Sequence, residues 1–200
     1  VGLQAAKVVK PQNVGEMTAA NALMRLMGEQ GKETPMEKYV RMKKDPSLWK
    51  QEAKSYGLTD EDIKIMSKYY ERHYGVPPYQ EDLMTVLMDE DTCNFTLADS
   101  NAARKLVAKK QMDKIGEFRI KIFDRAKNEN MARYLWDTLI APQLGYGFSE
   151  LHSLAYSFVG VQTLELATRF PAVYWNTACL AVNSGSADEA NEGKSTDYGK

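Results

Sequence analysis

Tyr146–Gly147–Phe148–Ser149–Glu150–Leu151–His152–Ser153–Leu154–Ala155–Tyr156, continued through Gln162–Thr163 to Phe170–Pro171, is the stretch on which the reading of this chain turns. At about 100° per residue, Ser149, His152, Tyr156, Val159 and Thr163 share one side of a helix, and Leu154, Phe158 and Val161 lie opposite. The expectation is a helix that packs through the second group and presents hydroxyls, an imidazole and a phenol through the first. Taken alone, His152 and Tyr156 also suit a hydrogen-bonded, half-buried structural pair.

Outward from that stretch, helical periodicity prevails and strand alternation is absent. Thr59–Asp60–Glu61–Asp62 is a capping box that opens a helix expected to reach about Arg72, with Gly75 and Pro77–Pro78 ending it. Thr96 with Asp99 repeats the pattern and introduces a basic helix. Met131, Tyr134, Leu135, Thr138 and Leu139 form an apolar stripe. Pro171 sits at the expected start of a last helix through about Val182. Glu29 to Thr34 reads as a loop, and Lys43 to Lys54 as two short helical pieces joined around Pro46. Trp49, Trp136 and Trp175 are expected as core anchors. The fold expected is all-α: one helical domain over residues 1–184, with a division near 30–58, and a disordered polar tail over 185–200.

Two hundred residues at 44% hydrophobic suffice for a real core. No run approaches the roughly 18 apolar residues of a membrane span, and the N-terminal residues lack the pattern of a secretory leader, so a cytoplasmic protein is expected. Cys93, Cys179, His73 and His152 are scattered rather than spaced as ligands, so no metal is expected on them. The net charge of -1 hides an asymmetry. Between Asn101 and Lys127 stand Arg104, Lys105, Lys109, Lys110, Lys114, Arg119, Lys121, Arg125 and Lys127 against Asp113, Glu117 and Asp124. Such a segment suits a phosphate-rich partner, or a solvated face of mixed charge.

Four blocks, in order, carry a resemblance. They are Asn21-Ala22-Leu23-Met24-Arg25; the run Tyr74-Gly75-Val76-Pro77-Pro78-Tyr79-Gln80-Glu81-Asp82-Leu83-Met84; Arg104-Lys105-Leu106-Val107-Ala108-Lys109-Lys110; and the stretch from Tyr146 to Tyr156. Together they resemble the fingers region of the bacterial DNA polymerase III α subunit, the family C replicative polymerases. The chain departs from that pattern at Glu150, where the family has lysine, at Leu26-Met27, where it has Pro-Gly, and at Ala108, where it has glycine. These departures mark a diverged relative of the kind a phage or plasmid replicase would carry.

The resemblance implies an all-α fingers domain of a nucleotidyltransferase in DNA replication. The partners implied are an incoming dNTP, template–primer DNA and a palm domain, with no membrane. His152, Tyr156, Arg25, Lys109, Lys110, Ser149 and Thr163 would serve the nucleotide, and Arg104, Lys105, Lys114 and Arg119 the DNA. Catalytic residues and Mg2+ are expected only in the palm, which holds the paired aspartates of two-metal phosphoryl transfer. This chain is therefore expected to bind no cofactor of its own and to be inactive by itself. The competing expectation is a non-catalytic DNA-binding or replication-adaptor protein that keeps the fold, for which Glu150 is the argument.

Overall fold

A computed structural model describes residues 2–26, 28, 31, 33–109 and 112–183. Lys110 and the tail over 185–200 lie outside the described residues, as does Glu29. The chain divides into two compact units, Val1–Ser157 and Phe158–Lys200. Among the described residues the secondary structure is helical, apart from one isolated bridge between Tyr79 and Phe148.

The first unit starts with α1 (Gly2–Val9) and α2 (Val14–Leu23), the latter capped by the Asn13 carboxamide oxygen, which accepts from the Glu16 N–H. Helices α3 (Pro35–Lys44) and α4 (Ser47–Ser55) meet at Pro46, as their sequence predicts. Thr34 and Thr59 each form a reciprocal capping box, with Glu37 and Asp62, at the starts of α3 and α5 (Asp60–Tyr70). A 3-10 turn, Glu71–His73, carries α5 to its expected end. Tyr74 and Gly75 then take left-handed conformations, and the Gly75 N–H returns to the Tyr70 carbonyl at 2.8 Å.

Helices α6 (Gln80–Met88) and α7 (Leu97–Lys109) follow, and the Thr96 hydroxyl accepts the Asp99 N–H at the head of α7. The basic segment runs on into α8 (Met112–Arg125), then α9 (Glu129–Leu135), then a π-helical turn, Trp136–Ile140. The predicted stripe Met131, Tyr134, Leu135, Thr138 and Leu139 is buried. With Trp49, Tyr70, Met66, Leu83 and Leu87, most of it forms the central apolar cluster. Tyr70 and Tyr134 lie 5.2 Å apart in it, and the Tyr70 and Thr138 hydroxyls are 2.8 Å apart.

Helix α10 (Glu150–Arg169) begins in this unit. Here the sequence expectation needs correction. The residues of α10 buried in the first unit are Ser153 and Ser157, both at 0% exposure, whereas Leu154 is only half-buried. Phe158 and Val161, in the second unit, are exposed. The reason is steric: small serines let α10 approach the backbone of α2, which a leucine at the same place would hold away.

The second unit contains the remainder of α10 and α11 (Ala172–Asn183), preceded by Pro171 as expected. Leu164, Leu166, Val173, Tyr174 and Leu180 are exposed there. The tryptophans divide: Trp49 is fully buried, while Trp136 and Trp175 are half-buried.

Candidate functional site

Three elements of the first unit converge around the quoted stretch. Gly145, with φ of 95°, turns the chain, and its N–H donates to the Val107 carbonyl of α7 at 2.8 Å. Phe148 then runs beside Tyr79, and the Gln80 N–H donates to its carbonyl at 2.9 Å. A Cβ on Gly147 would stand 3.3 Å from the Gln80 Cβ, so this close approach uses the missing side chain. The first two turns of α10 are fastened to α2. The Ser153 hydroxyl donates to the Thr18 carbonyl at 2.7 Å, and the Asn21 amide to the Ser157 oxygen at 3.1 Å.

This fastening presents a row of rings. Tyr146 stacks on Phe148 at 5.8 Å, Phe148 meets the edge of His152 at 5.8 Å, and His152 lies 4.7 Å from Tyr156. Tyr156 is 65% exposed and Tyr146 41%, while Phe148 is buried beneath them. Arg25, at the end of α2, places its guanidinium 5.3 Å from the Tyr146 ring and 5.4 Å from Phe148. Thus Arg25, His152 and Tyr156, far apart in sequence, belong to one surface, joined by Tyr146 and Phe148. Sequence reasoning did not select those two rings; their spacing just ahead of the helix was the available signal.

The charged residues sort into distinct roles. Arg72 bridges Asp82 and Glu150, with 3.3 Å between its Nη1 and Glu150 Oε1. Two carboxylates thereby share one guanidinium, so no free positive charge stands at position 150. Burial pulls the Arg72 guanidinium's pKa down, but those two carboxylates outweigh it and raise it. The Ser149 hydroxyl donates to Glu81 Oε1 at 2.8 Å, and the Glu150 N–H to Glu81 Oε2 at 2.9 Å. Ser149 has therefore already committed its one proton, and the Glu81 carboxylate takes the first N–H of α10.

Arg104 is held by neutral oxygens: Gln80 Oε1 at 3.0 Å, and Asn101 Oδ1 at 3.2 Å from its Nε and 3.0 Å from Nη2. Lys105 and Lys109 are exposed one turn apart on α7, and Lys114 is exposed on α8. No carboxylate among the described residues pairs with Arg104 or with these three lysines. Arg119 lies over Phe123 and Trp136, at 5.2 and 5.4 Å from their centroids. By contrast, Lys121 is bound to Asp99, Arg125 to the carbonyls of Cys93 and Asn94, and Lys127 to Asp62. Thr163 falls in the second unit, and Lys110 lies outside the described residues. No group of three His, Cys, Asp or Glu among the described residues could hold a metal ion, and no described helix is long and apolar enough to cross a membrane.

Rings that can stack on a base, next to cations that no carboxylate neutralises, make a surface suited to nucleotides and nucleic acid. The bacterial DNA polymerase III alpha subunit finger domain matches residues 3–130. The chain is 40% identical, over its whole length, to a probable DNA polymerase YorL of Bacillus subtilis (strain 168) and to a DNA-directed DNA polymerase of Bacillus phage SPbeta, covering 16% of each. It is 30% identical to a DNA polymerase III subunit alpha of Treponema pallidum (strain Nichols), over 84% of this chain and 13% of that one. The chain belongs to the bacterial DNA polymerase III alpha finger-domain family, and it spans about a sixth of the length of the first two relatives.

Proposed function

We propose that this fingers domain binds an incoming deoxynucleoside triphosphate and the end of a template–primer duplex, in the cytoplasm, for a palm domain that supplies the metals and the chemistry. The observation that carries the reading is the shared surface of Arg25 and the Tyr146–Phe148–His152–Tyr156 row. A base pair of any sequence can stack against rings, which suits a polymerase that must accept four bases. Arg25 and Lys109 answer the triphosphate, and Arg104, Lys105, Lys114 and Arg119 the duplex backbone. Lys110 and Thr163 remain in the proposed nucleotide set by resemblance alone. Ser149 orders α10 rather than touching the ligand, because its proton is held by Glu81. The Mg2+ of the reaction is assigned to the palm, as the family resemblance implies.

The test is direct binding of dATP and of a primer–template duplex to the 200-residue chain. Replacing Tyr156 and His152 by Ala should weaken dATP binding about tenfold or more, at the roughly 1–3 kcal/mol of a base–ring stack. Reversing Lys105 and Lys109 to Glu should weaken duplex binding and flatten its dependence on salt, because fewer counterions are released. Unchanged binding and an unchanged salt slope in the reversed protein would exclude the phosphate role. The adaptor reading, which rests on Glu150, requires that the chain restore no DNA synthesis when joined to a palm.

A further inference from the structure

A hydrogen-bonded path crosses the first unit from α7 to α10 through two consecutive side chains at the head of α6. Arg104 Nη1 donates to Gln80 Oε1 at 3.0 Å, and Gln80 Nε2 donates to Glu81 Oε1 at 3.3 Å. Glu81 in turn accepts from the Ser149 hydroxyl and the Glu150 N–H at the first turn of α10. The main chain runs parallel to this path, through the Gln80 N–H and the Phe148 carbonyl. Each partner constrains the next. Gln80 has its oxygen toward a guanidinium and its NH2 toward a carboxylate, the only assignment of the amide that satisfies both.

The chemistry of Gln80 is the informative part. A carboxylate would grip the same guanidinium more strongly, because charged hydrogen bonds are shorter and stronger than neutral ones. It would also neutralise Arg104. The amide oxygens of Gln80 and Asn101 fix the direction of the fork and leave its charge free for a phosphate. Half-buried between these two oxygens, Arg104 is aimed and still cationic.

On the reading of the site given above, we propose that Gln80 and Glu81 are positioning residues of the nucleotide and duplex site. Gln80 orients Arg104 without cancelling its charge. Glu81 ties that orientation to the N-terminus of α10, which carries His152 and Tyr156. The spacing of cation and rings is thereby set by one dipeptide rather than by two independent helices.

The decisive variant is Gln80→Glu, measured in the 200-residue chain with dATP and a primer–template duplex as probes and with thermal melting as a control. The fold should hold, since the ion pair gained with Arg104 offsets the donor lost toward Glu81 and the carboxylate now set against it, while duplex or dATP binding falls about tenfold, as loss of one charge-assisted phosphate contact predicts. Asn101→Asp, which delivers a carboxylate to the same guanidinium from α7, should reproduce the loss. Glu81→Ala should weaken binding in the native background and much less in an Arg104→Ala background, because the two act along one path. If Gln80→Glu and Asn101→Asp stay folded and bind both probes as the unsubstituted chain does, the amide is merely structural and the proposal is overturned. If the unsubstituted chain binds neither probe, the nucleotide-site reading itself fails, and this inference with it.

Discussion

At Gly75 the backbone takes φ of 82°, and a Cβ built there would stand 2.2 Å from the Cβ of Trp49. Two constraints meet in one residue: a left-handed turn that ends a helix, and contact with the largest fully buried side chain of the core. Gly75→Ala should therefore cost roughly 2–5 kcal/mol, adding the left-handed penalty to overpacking. Urea denaturation of the variant checks it, and a cost below about 1 kcal/mol would contradict the geometry. The helix stop itself was legible in the sequence as glycine ahead of two prolines. The contact with Trp49 was not, because nothing local records which side chain comes back to a turn from 26 positions away.

Helix α10 shows the same division at the scale of an element. Its existence and its exposed imidazole and phenol follow from periodicity. Its packing side within the first unit does not, because Leu154, which hydropathy favours, is passed over for Ser153 and Ser157. Both serines satisfy their hydroxyls within the seam, Ser153 on the Thr18 carbonyl and Ser157 on the Ser153 carbonyl at 2.8 Å. Close approach of two backbones needs small residues, and buried hydroxyls need acceptors, so serine meets both demands. Ser153→Leu should destabilise by about 1–3 kcal/mol from overpacking, with about 1 kcal/mol more from the lost hydrogen bond. It should also shift the His152 ring resonances in an NMR spectrum. An unperturbed His152 in a stable variant would show that the seam does not set the position of the rings.

For the whole molecule, acidic caps and ion pairs link distant helices, and they set how stability depends on pH. Burial pushes the Asp62 carboxyl up, but the Thr59 N–H and hydroxyl and the Lys127 ammonium outweigh it and hold the group below its ordinary 3.8. Glu16 is likewise lowered from 4.5, with Lys43, the Gln12 N–H and the Tyr74 hydroxyl overcoming burial. Asp89 is lowered too, its burial outweighed by Tyr69, the Asp91 N–H and Lys68. Each folded value lies below the unfolded one, so the unfolded chain binds more protons as pH falls. Their contribution is fully present above the unfolded carboxylate range, near pH 4, and is lost as pH drops through the lower folded values. Melting temperatures should be nearly level from about pH 7 to about pH 5 and fall steeply below about pH 4, with Asp62→Asn flattening that fall. An equally steep fall in the Asp62→Asn protein would remove Asp62 from the account. The sequence by itself determined the all-helical class, the caps at Thr59 and Thr96 and the buried stripe of α9, because these rest on neighbours within about one helical turn, and the family resemblance, because it rests on the order of blocks along the chain. Only the tertiary structure decided which cations are free. Lys121 is neutralised by Asp99 from 22 positions away, while Arg104 is aimed by the neutral Gln80 from 24 positions away and Ser149 meets Glu81 across 68. Charge and hydropathy read along a chain report composition, whereas neutralisation depends on distances across space, which fall to a few ångströms only when helices far apart in sequence pack together.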